Sequence, residues 1–338
     1  MTLAIKYHTK VAGFLLKTLL LLSFSACRQE APGYTQLEGK AQGTTFHINY
    51  KNARERNFSG QVDSLFRRID KSMSLWDSTS IISRVNRNEP GVVADEHLIK
   101  VYNRSREISE RSGGAFDITV GPLVKAWGFS YKKGLPPPDS TKVDTLLQLI
   151  GFQKIRLENG VFVKNHPAME IDVNAIAQGY TVDLIARFLE QQGIHDYLVE
   201  IGGEVRSAGK NERGEFWKIG IDKPLDNPEQ ERLLQTTLLL KNRSLATSGS
   251  YRKFVVRDGK KFSHAIDPAT GYPITHNLLS VSVLADDCAS ADAYATAFLV
   301  VGMDKAMQLA QKQELEIYCV YADEKGALQV QATPGFLK

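Results

Sequence analysis

The sequence has few cysteines and little net charge, and both absences restrict the possible functions. Three cysteines occur in 338 residues, and none has a cysteine or histidine partner at metal-ligand spacing, so the pattern indicates no zinc-type site. The net charge is only +4, and no basic stretch is interleaved with aromatic residues, which argues against nucleic-acid binding. Internal repeats and linker-like stretches are also missing, which favours one folded domain.

No acidic residue occurs before Glu30, and the first part of the chain is typical of a secretory signal peptide. Lys6 and Lys10 precede an apolar stretch whose uninterrupted part, Thr18 to Ala26, is too short to span a bilayer. The stretch FSAC, ending at Cys27, is similar to a bacterial lipoprotein cleavage site. It has Phe24 where leucine is usual.

This N-terminal pattern divides the chain into three parts. We expect residues 1–26 to be a lipoprotein signal peptide, residues 27–40 to be a lipidated Cys27 and a tether, and residues 41–338 to be the functional domain. The expected location is the bacterial cell envelope, where acyl chains anchor the protein to the membrane facing the periplasm. A plain signal peptide with an incidental Cys27 is the alternative.

Helical and alternating patterns mix along the mature chain and predict an α+β fold. We expect a single globular domain with mixed or antiparallel sheets, hairpins and packed helices, because hairpins alternate with separate helices. Helices are predicted in QVDSLFRRIDKSMSLW, DEHLIKVYNRSREISERSGG, STKVDTLLQLIG, AIAQGYTVDLIARFLEQQG and ASADAYATAFLVVG. Strands and hairpins are predicted in TTFHINYK, FQKIRLENGVFVKN, DYLVEI, RKFVVRDGKKFSHAID, LLSVSVLAD and LEIYCVYADEKGALQV. Cys288 and Cys319 are expected to be small buried residues.

The helix ASADAYATAFLVVG is apolar except for two side chains. Asp292 and Thr296 are four residues apart, so they share one face of the helix. Alone, the pair is explained by the helix dipole and by a hydroxyl that bonds back to its own helix. A carboxylate and a hydroxyl one turn apart also suit a hard divalent cation such as Mg²⁺.

Three other segments carry more polar residues and glycines than packing requires. In SGGAFDITVGPLVKAWGF the aromatic rings either stack on a flat ligand or belong to the core, and composition favours the core. In EIDVNAIAQGYTVD, Asp172 precedes a helix, where a carboxylate caps N–H groups and where an anion also binds. In SHAIDPATGYP, His264 and Asp267 lie beside a turn rich in proline and glycine.

Together these segments resemble the ApbE family, the FAD:protein FMN transferases. The matching pieces occur in family order between about Thr44 and Gly302. They are MSLWDSTSIISRVN, GGAFDITVGPLVKAWGF, IDVNAIAQGYTVD, VEIGGEVRSAGK, SGSYRKF, SHAIDPATGYP and SADAYATAFLVVG. The resemblance implies an enzyme that transfers FMN from FAD to a threonine or serine hydroxyl of an acceptor flavoprotein through a phosphodiester, with release of AMP.

The resemblance also implies roles for individual residues. Mg²⁺ would be bound by the Ala175 carbonyl, Asp292 and Thr296. FAD, as substrate, would contact a larger set: Met73, Trp76, Ala115, Phe116, Asp117, Asp172, Gln178, His264 and Ile266. The family often has lysine at the position of Gln178. Glutamine keeps hydrogen bonding there but supplies no positive charge to the expected pyrophosphate contact.

Catalysis of this step requires positioning, charge neutralisation and a base for the acceptor hydroxyl. His264 is the candidate base because its pKa range suits neutral pH, and Asp267 would orient it or bind groups near the phosphate. The expected partners are FAD, the membrane through a lipid anchor, and a separate acceptor, a membrane redox-complex subunit. The alternatives are a metal-dependent FAD pyrophosphatase that forms FMN and AMP, and a lipid-anchored FAD-binding protein without turnover.

Overall fold

Alternation of apolar and polar residues along short strands builds the central sheet. In β2 (Thr44–Lys51), for example, Phe46, Ile48 and Tyr50 are buried while the residues between them are more exposed. The structure is a computed structural model that describes residues 33–52, 55–130, 136–224, 233–250, 254–257 and 260–338. Within it, Tyr34–Lys338 form one compact unit.

The main sheet has eight strands in the order β1-β2-β5-β6-β9-β12-β13-β14, and all neighbouring strands are antiparallel. Its other strands are β1 (Tyr34–Ala41), β5 (Tyr197–Ile201), β6 (Glu204–Ala208), β9 (Ser244–Gly249), β12 (Leu278–Ala285), β13 (Glu316–Ala322) and β14 (Leu328–Ala332). Three two-stranded sheets accompany it: β3 (Ile155–Glu158) with β4 (Val161–Lys164), β7 (Trp217–Asp222) with β8 (Leu234–Leu240), and β10 (Phe254–Arg257) with β11 (Lys260–Ser263).

The described residues also form eight α-helices and one short 3₁₀ helix, Phe152–Lys154. The α-helices are α1 (Ser59–Met73), α2 (Ile81–Asn86), α3 (Glu96–Arg111), α4 (Gly121–Trp127), α5 (Ser140–Leu147), α6 (Asn174–Gln191), α7 (Cys288–Val301) and α8 (Met303–Lys312). None of the helices in these ranges is long and apolar enough to cross a membrane.

Helices cover one face of the main sheet. The helix α6 packs on β5 and β6, and α7 packs on β9 and β12. Nearly every residue of α7 is buried, including Ala291, Ala293, Ala295 and Ala297, which are fully inaccessible. Since alanine is small, these positions let the helix lie close to the sheet and to α6 at the same time.

The opposite face of the sheet is covered by the β7–β8 hairpin and the C-terminal segment. A separate apolar cluster forms there, in which Leu238 and Leu240 of β8 pack with Val205, Leu245 and Phe336. The sheet is therefore the middle layer of the unit, with helices on one side and a hairpin on the other.

The sequence predicted most of these elements correctly. All five predicted helices and the predicted strands of β2, β5, β12 and the β3–β4 and β13–β14 hairpins are confirmed. The α+β class is confirmed as well. At the β3–β4 turn, Asn159 and Gly160 both have positive φ values of 50° and 80°, as a two-residue Asn-Gly hairpin turn requires. The Asp258–Gly259 turn between β10 and β11 lies outside the described residues.

The N-terminal boundary needs a correction. The sequence assigned residues 27–40 to a tether, but Tyr34–Ala41 form β1 and pair with β2 over their whole length. The folded unit therefore includes Tyr34–Ala41, because these residues gain sheet hydrogen bonds that a tether lacks. The predicted signal peptide and Cys27 lie outside the described residues. Cys288 and Cys319 are buried free thiols, as predicted.

Two features fix the packing of α6 against α7. The buried carboxylate of Asp183 in α6 accepts hydrogen bonds from the N–H groups of Cys288 and Ala289, each at 3.0 Å, and from Arg206 of β6 at 2.7 Å. Burial raises the pKa of Asp183, and these three donors oppose that shift. Gly179 lies against α7 so closely that a methyl group there would be 2.7 Å from the Cys288 carbonyl carbon.

We predict that Gly179→Ala destabilises the protein by about 1–3 kcal/mol, because the new methyl group has to displace backbone atoms of α7. The measurement is urea unfolding followed by circular dichroism. Gly60→Ala is the matched control, since Gly60 is an exposed residue of α1 with open space around it. It should leave stability unchanged or raise it by up to about 1 kcal/mol. Equal stability changes in the two variants would contradict the close contact.

Candidate functional site

The first turn of α6 departs from regular helix geometry at Ala175. This residue has φ −89° and ψ 18°, and the N–H groups of Ile176 and Ala177 both donate to the Val173 carbonyl. The Asp172 carboxylate accepts the Asn174 N–H at 2.9 Å, although the N-cap residue of the helix is Val173, which makes no side-chain cap bond. This irregular turn is the part of α6 where a backbone carbonyl can turn away from the helix axis.

The Asp292 carboxylate of α7 contacts α6 one turn after Ala175. It is 6% exposed, and its Oδ2 accepts the Gly179 N–H at 3.2 Å. In a regular α-helix the N–H of Gly179 donates to the carbonyl four residues earlier, which is that of Ala175. Asp292 therefore binds α6 at the N–H group that follows the irregular residue by one turn.

Thr296 follows one turn later on α7. Its hydroxyl lies 3.0 Å from the Ser248 hydroxyl of β9. The structure therefore places Asp292 against α6 and Thr296 against β9, and Ala175 lies at the irregular start of α6. The oxygens of these three residues are a carboxylate, a hydroxyl and a backbone carbonyl.

The side chain of Gln178 points from α6 toward the turn between β5 and β6. A methyl group on Gly202 would lie 3.2 Å from Gln178 Nε2 and 2.9 Å from the Thr44 methyl group. Gly202 also has a positive φ of 65°, so glycine is favoured there for both reasons. Gln178 therefore lies where α6, the start of β2 and the glycine turn meet.

A small cavity of about 320 Å³, part of it open to solvent, lies next to Asp172. Trp76, Phe129 and Asp172 line it together with the ion pair between Lys125 and Glu170, whose charged atoms are 2.5 Å apart. Trp76 is 65% exposed, which is unusual for so large an aromatic side chain. Burial raises the pKa of Asp172. Aromatic faces and a carboxylate at one cavity suit a flat, polar-edged ligand.

Two side chains hold the segment that leads into this cavity. Asn86, at the end of α2, accepts the Ile171 N–H at 2.8 Å and donates to the Ile171 carbonyl at 2.9 Å. Lys164 donates to four backbone carbonyls, including Met169 at 2.9 Å and Asn86 at 3.2 Å. Burial lowers the pKa of this lysine. The backbone just before Asp172 is therefore fixed from both sides.

A second, larger cavity of about 1130 Å³, which includes open solvent, is lined in part by Gly113 and Gly114. Ala115 and Asp267 line it, with Lys305 and Lys312 of α8 on its rim. Two lysines and a backbone rich in glycine favour a ligand with negative charge.

His264 and Asp267 belong to a turn that packs on α4. The ring of His264 lies edge-on to Phe129 with a centroid distance of 6.5 Å. The Asp267 carboxylate accepts the Ala269 N–H at 2.8 Å and the Thr270 hydroxyl at 3.2 Å, so it stabilises its own turn. Trp127 donates to the Gly271 carbonyl at 2.9 Å and ties that turn to α4.

Four of the predicted contact residues lie in the interior. Met73, Phe116 and Ile266 belong to apolar clusters. The buried Asp117 carboxylate accepts N–H groups of Thr119 and Phe152 and the Thr119 hydroxyl, and burial raises its pKa. Phe116 and Trp127 are core residues, as composition favoured, whereas Phe129 lines the small cavity.

Sequence reasoning assigned no role to Ser248, Asn86 or Lys164. Asn86 ends the motif SIISRVN, but its partner Ile171 lies 85 residues away, so no local pattern reveals the contact. Ser248 begins the motif SGSYRKF. Its contact with α7 depends on the order of strands in the sheet.

Comparisons with known proteins agree on one family. The profile of the ApbE family matches residues 42–320. An FAD:protein FMN transferase of Haemophilus influenzae is 34% identical over 330 residues, which cover 94% of each chain. The solved flavin transferase ApbE of Vibrio cholerae superposes with a TM-score of 0.79 at 31% identity and covers 90% of this chain and 98% of its own. The apo flavinyl transferase ApbE of Pseudomonas stutzeri gives 0.81 at 29% identity, covering 90% of this chain and 96% of its own.

We predict that Asn86→Ala releases the backbone before Asp172, because the Ile171 N–H and carbonyl both lose their partner. Leaving such a buried pair unsatisfied costs roughly 1–3 kcal/mol. Hydrogen exchange measured by mass spectrometry should show faster exchange in a peptide covering residues 169–173. Asn88→Gly is the control, since it removes one hydrogen bond to Pro167 in the same loop and leaves the Ile171 pair intact. An unchanged exchange rate at Ile171 in Asn86→Ala would contradict the assignment.

Proposed function

Since the chain belongs to the ApbE family, we propose that it is a flavin transferase that moves FMN from FAD to a threonine or serine hydroxyl of an acceptor flavoprotein. The observation that carries this proposal is the position of Asp292. Its carboxylate accepts the Gly179 N–H of α6, one turn after the irregular Ala175, and so lies near the helix N-terminus, where a phosphate and its cation would bind together.

The proposed reaction is an exchange of one phosphoester partner for another. The acceptor oxygen forms a bond to the phosphorus of the FMN half, and the bond from that phosphorus to the bridging oxygen breaks. The bridging oxygen leaves with AMP, and the hydroxyl proton passes to a base. FAD and the acceptor hydroxyl thus give the FMN phosphodiester and AMP, and no oxidant or reductant is needed.

The oxygen atoms at the α6–α7 contact fit Mg²⁺. A carbonyl, a carboxylate and a hydroxyl are hard ligands, and Mg²⁺ takes few ligands from the protein and the rest from phosphates and water. Among the residues that the structure describes, no group of three His, Cys, Asp or Glu side chains could hold a metal. Ala175, Asp292 and Thr296 would bind the ion. When bound, Mg²⁺ supplies charge neutralisation at the pyrophosphate.

Each of the other site residues would contact either FAD or the acceptor, or would hold a residue that does. Trp76 and Phe129 would bracket the flavin ring at the small cavity, beside Asp172. Gln178 would donate a hydrogen bond near the pyrophosphate. His264 would take the proton of the acceptor hydroxyl. Asp267 would keep the His264 turn in place, since its carboxylate already holds that turn together.

The proposed setting is the bacterial cell envelope. A lipidated Cys27 would hold the enzyme in the cell envelope, facing the periplasm, and the acceptor would be a subunit of a membrane redox complex. This part of the proposal is supported by the N-terminal sequence pattern and by the Cys27 context alone.

We predict that the full chain, incubated with FAD, Mg²⁺ and a co-produced acceptor flavoprotein, adds the mass of FMN to one acceptor residue. Asp292→Asn should reduce the transfer by about 100-fold or more, because an asparagine still accepts the Gly179 N–H but lacks the charge that binds a cation. Intact-protein mass spectrometry measures the transfer. Asp304→Asn, an exposed change of equal charge on α8, is the control and should transfer FMN normally.

Other outcomes of this experiment identify other functions. An unmodified acceptor with steady formation of AMP from FAD would indicate a pyrophosphatase. Tight binding of FAD without any AMP would indicate a flavin-binding lipoprotein. Full transfer activity in Asp292→Asn, with unchanged thermal unfolding, would show that the metal assignment is wrong.

We predict that Gln178→Lys lowers the KM for FAD about fivefold, because a partly screened positive charge near a pyrophosphate contributes about 1 kcal/mol. Initial rates at several FAD concentrations give the KM. Gln191→Lys adds the same charge at the other end of α6 and should leave the KM unchanged. An equal decrease in both variants would show a general charge effect and not a contact of Gln178.

A further inference from the structure

A hydroxyl–hydroxyl hydrogen bond links the main sheet to the proposed metal site. Ser248 Oγ of β9 and Thr296 Oγ1 of α7 are 3.0 Å apart, and both side chains are half-buried. Neither residue is at a helix end or in a loop. The contact therefore joins the interior of a strand to the interior of a helix, which are rigid parts of the fold.

The position of Ser248 is fixed by its strand. It lies opposite Val281 of β12 in the register of the sheet. Ala246, two residues earlier on the same face, packs against Ala291 of α7 and Ala285. Because Ala246 and Ala291 are small, β9 and α7 are close together. The hydroxyls of Ser248 and Thr296, which follow these alanines in the two elements, can therefore meet.

A threonine inside a helix has another partner for its hydroxyl proton. It commonly donates to the carbonyl four residues earlier, which for Thr296 is the carbonyl of Asp292. A hydroxyl that binds a cation through an oxygen lone pair has to place its proton on an acceptor that lies away from the ion. Ser248 offers such an acceptor outside the helix.

We propose that Ser248 is a positioning residue that holds the Thr296 hydroxyl in the orientation that binds a divalent cation, without touching the ion itself. This inference rests on the proposed function, because it requires the cation at the α6–α7 contact. A partner that orients a metal ligand in this way typically changes metal affinity by about 10–100-fold when it is removed.

The chain contains a matched pair for comparison. Thr247 Oγ1 and Ser282 Oγ are 2.7 Å apart. Thr247 is next to Ser248 in β9, so its side chain lies on the other face of the sheet. Ser282→Ala and Ser248→Ala each remove the hydroxyl of a strand serine that is hydrogen-bonded to a threonine hydroxyl. Only the second change affects Thr296.

The test is binding of Mn²⁺, used as a probe for Mg²⁺, to the full chain with and without FAD. Free Mn²⁺ is measured by electron paramagnetic resonance. We expect Ser248→Ala to weaken Mn²⁺ binding by about 10–100-fold. Ser248→Thr, which keeps a hydroxyl at the same place, should restore binding to near the wild-type value. Ser282→Ala should bind Mn²⁺ as the wild type does.

The outcomes separate this inference from the proposed function. Wild-type affinity in Ser248→Ala, no rescue by Ser248→Thr, or equal weakening in Ser282→Ala would each overturn the role of Ser248. Absence of Mn²⁺ binding to the wild type would instead overturn the metal of the proposed function. Mn²⁺ binding that depends on Ser248, in a protein that transfers no FMN, would leave this inference standing and reject the transferase.

Discussion

The buried carboxylate of Asp183 is the interaction on which the arrangement of the site depends. It joins three elements, because it accepts the first N–H groups of α7, belongs to α6 and pairs with Arg206 of β6. A carboxylate at a helix N-terminus is favoured by the helix dipole. The same contact fixes where α7 begins relative to α6. Asp292 and Thr296 then follow at fixed distances along the helix, and Asp292 reaches the Gly179 N–H.

Small residues make this arrangement possible. Gly179 lets the two helices approach, and the alanines of α7 let that helix lie on β9 and β12. A larger side chain at any of these positions would move α7 away from α6 or from the sheet. The small apolar residues of α7 therefore determine how closely its Asp292 approaches α6 and its Thr296 approaches β9.

Much of the fold and part of the site could be predicted from the sequence. Helix periodicity, alternation in strands and the Asn159–Gly160 turn are local signals, and the structure bears them out. The placement of Asp292 and Thr296 on one face of a helix is also a local signal. The edge strand β1, the Ser248–Thr296 contact and the Asn86–Ile171 bonds could not be predicted, because each joins residues that only the order of strands and helices brings together. The interior positions of Met73 and Phe116 likewise depend on tertiary packing that no short motif encodes.

The strands β9 and β12 are direct neighbours in the sheet, with Gly249 opposite Ser280. The segment that connects them in sequence carries His264 and Asp267, and its described strands β10 and β11 form a separate two-stranded sheet. Changes in this segment therefore do not require a change in the register of the eight strands. Evolution could therefore diversify the part of the enzyme that carries the proposed base, and with it the choice of acceptor, while the residues proposed to bind the cation stay on an unaltered scaffold.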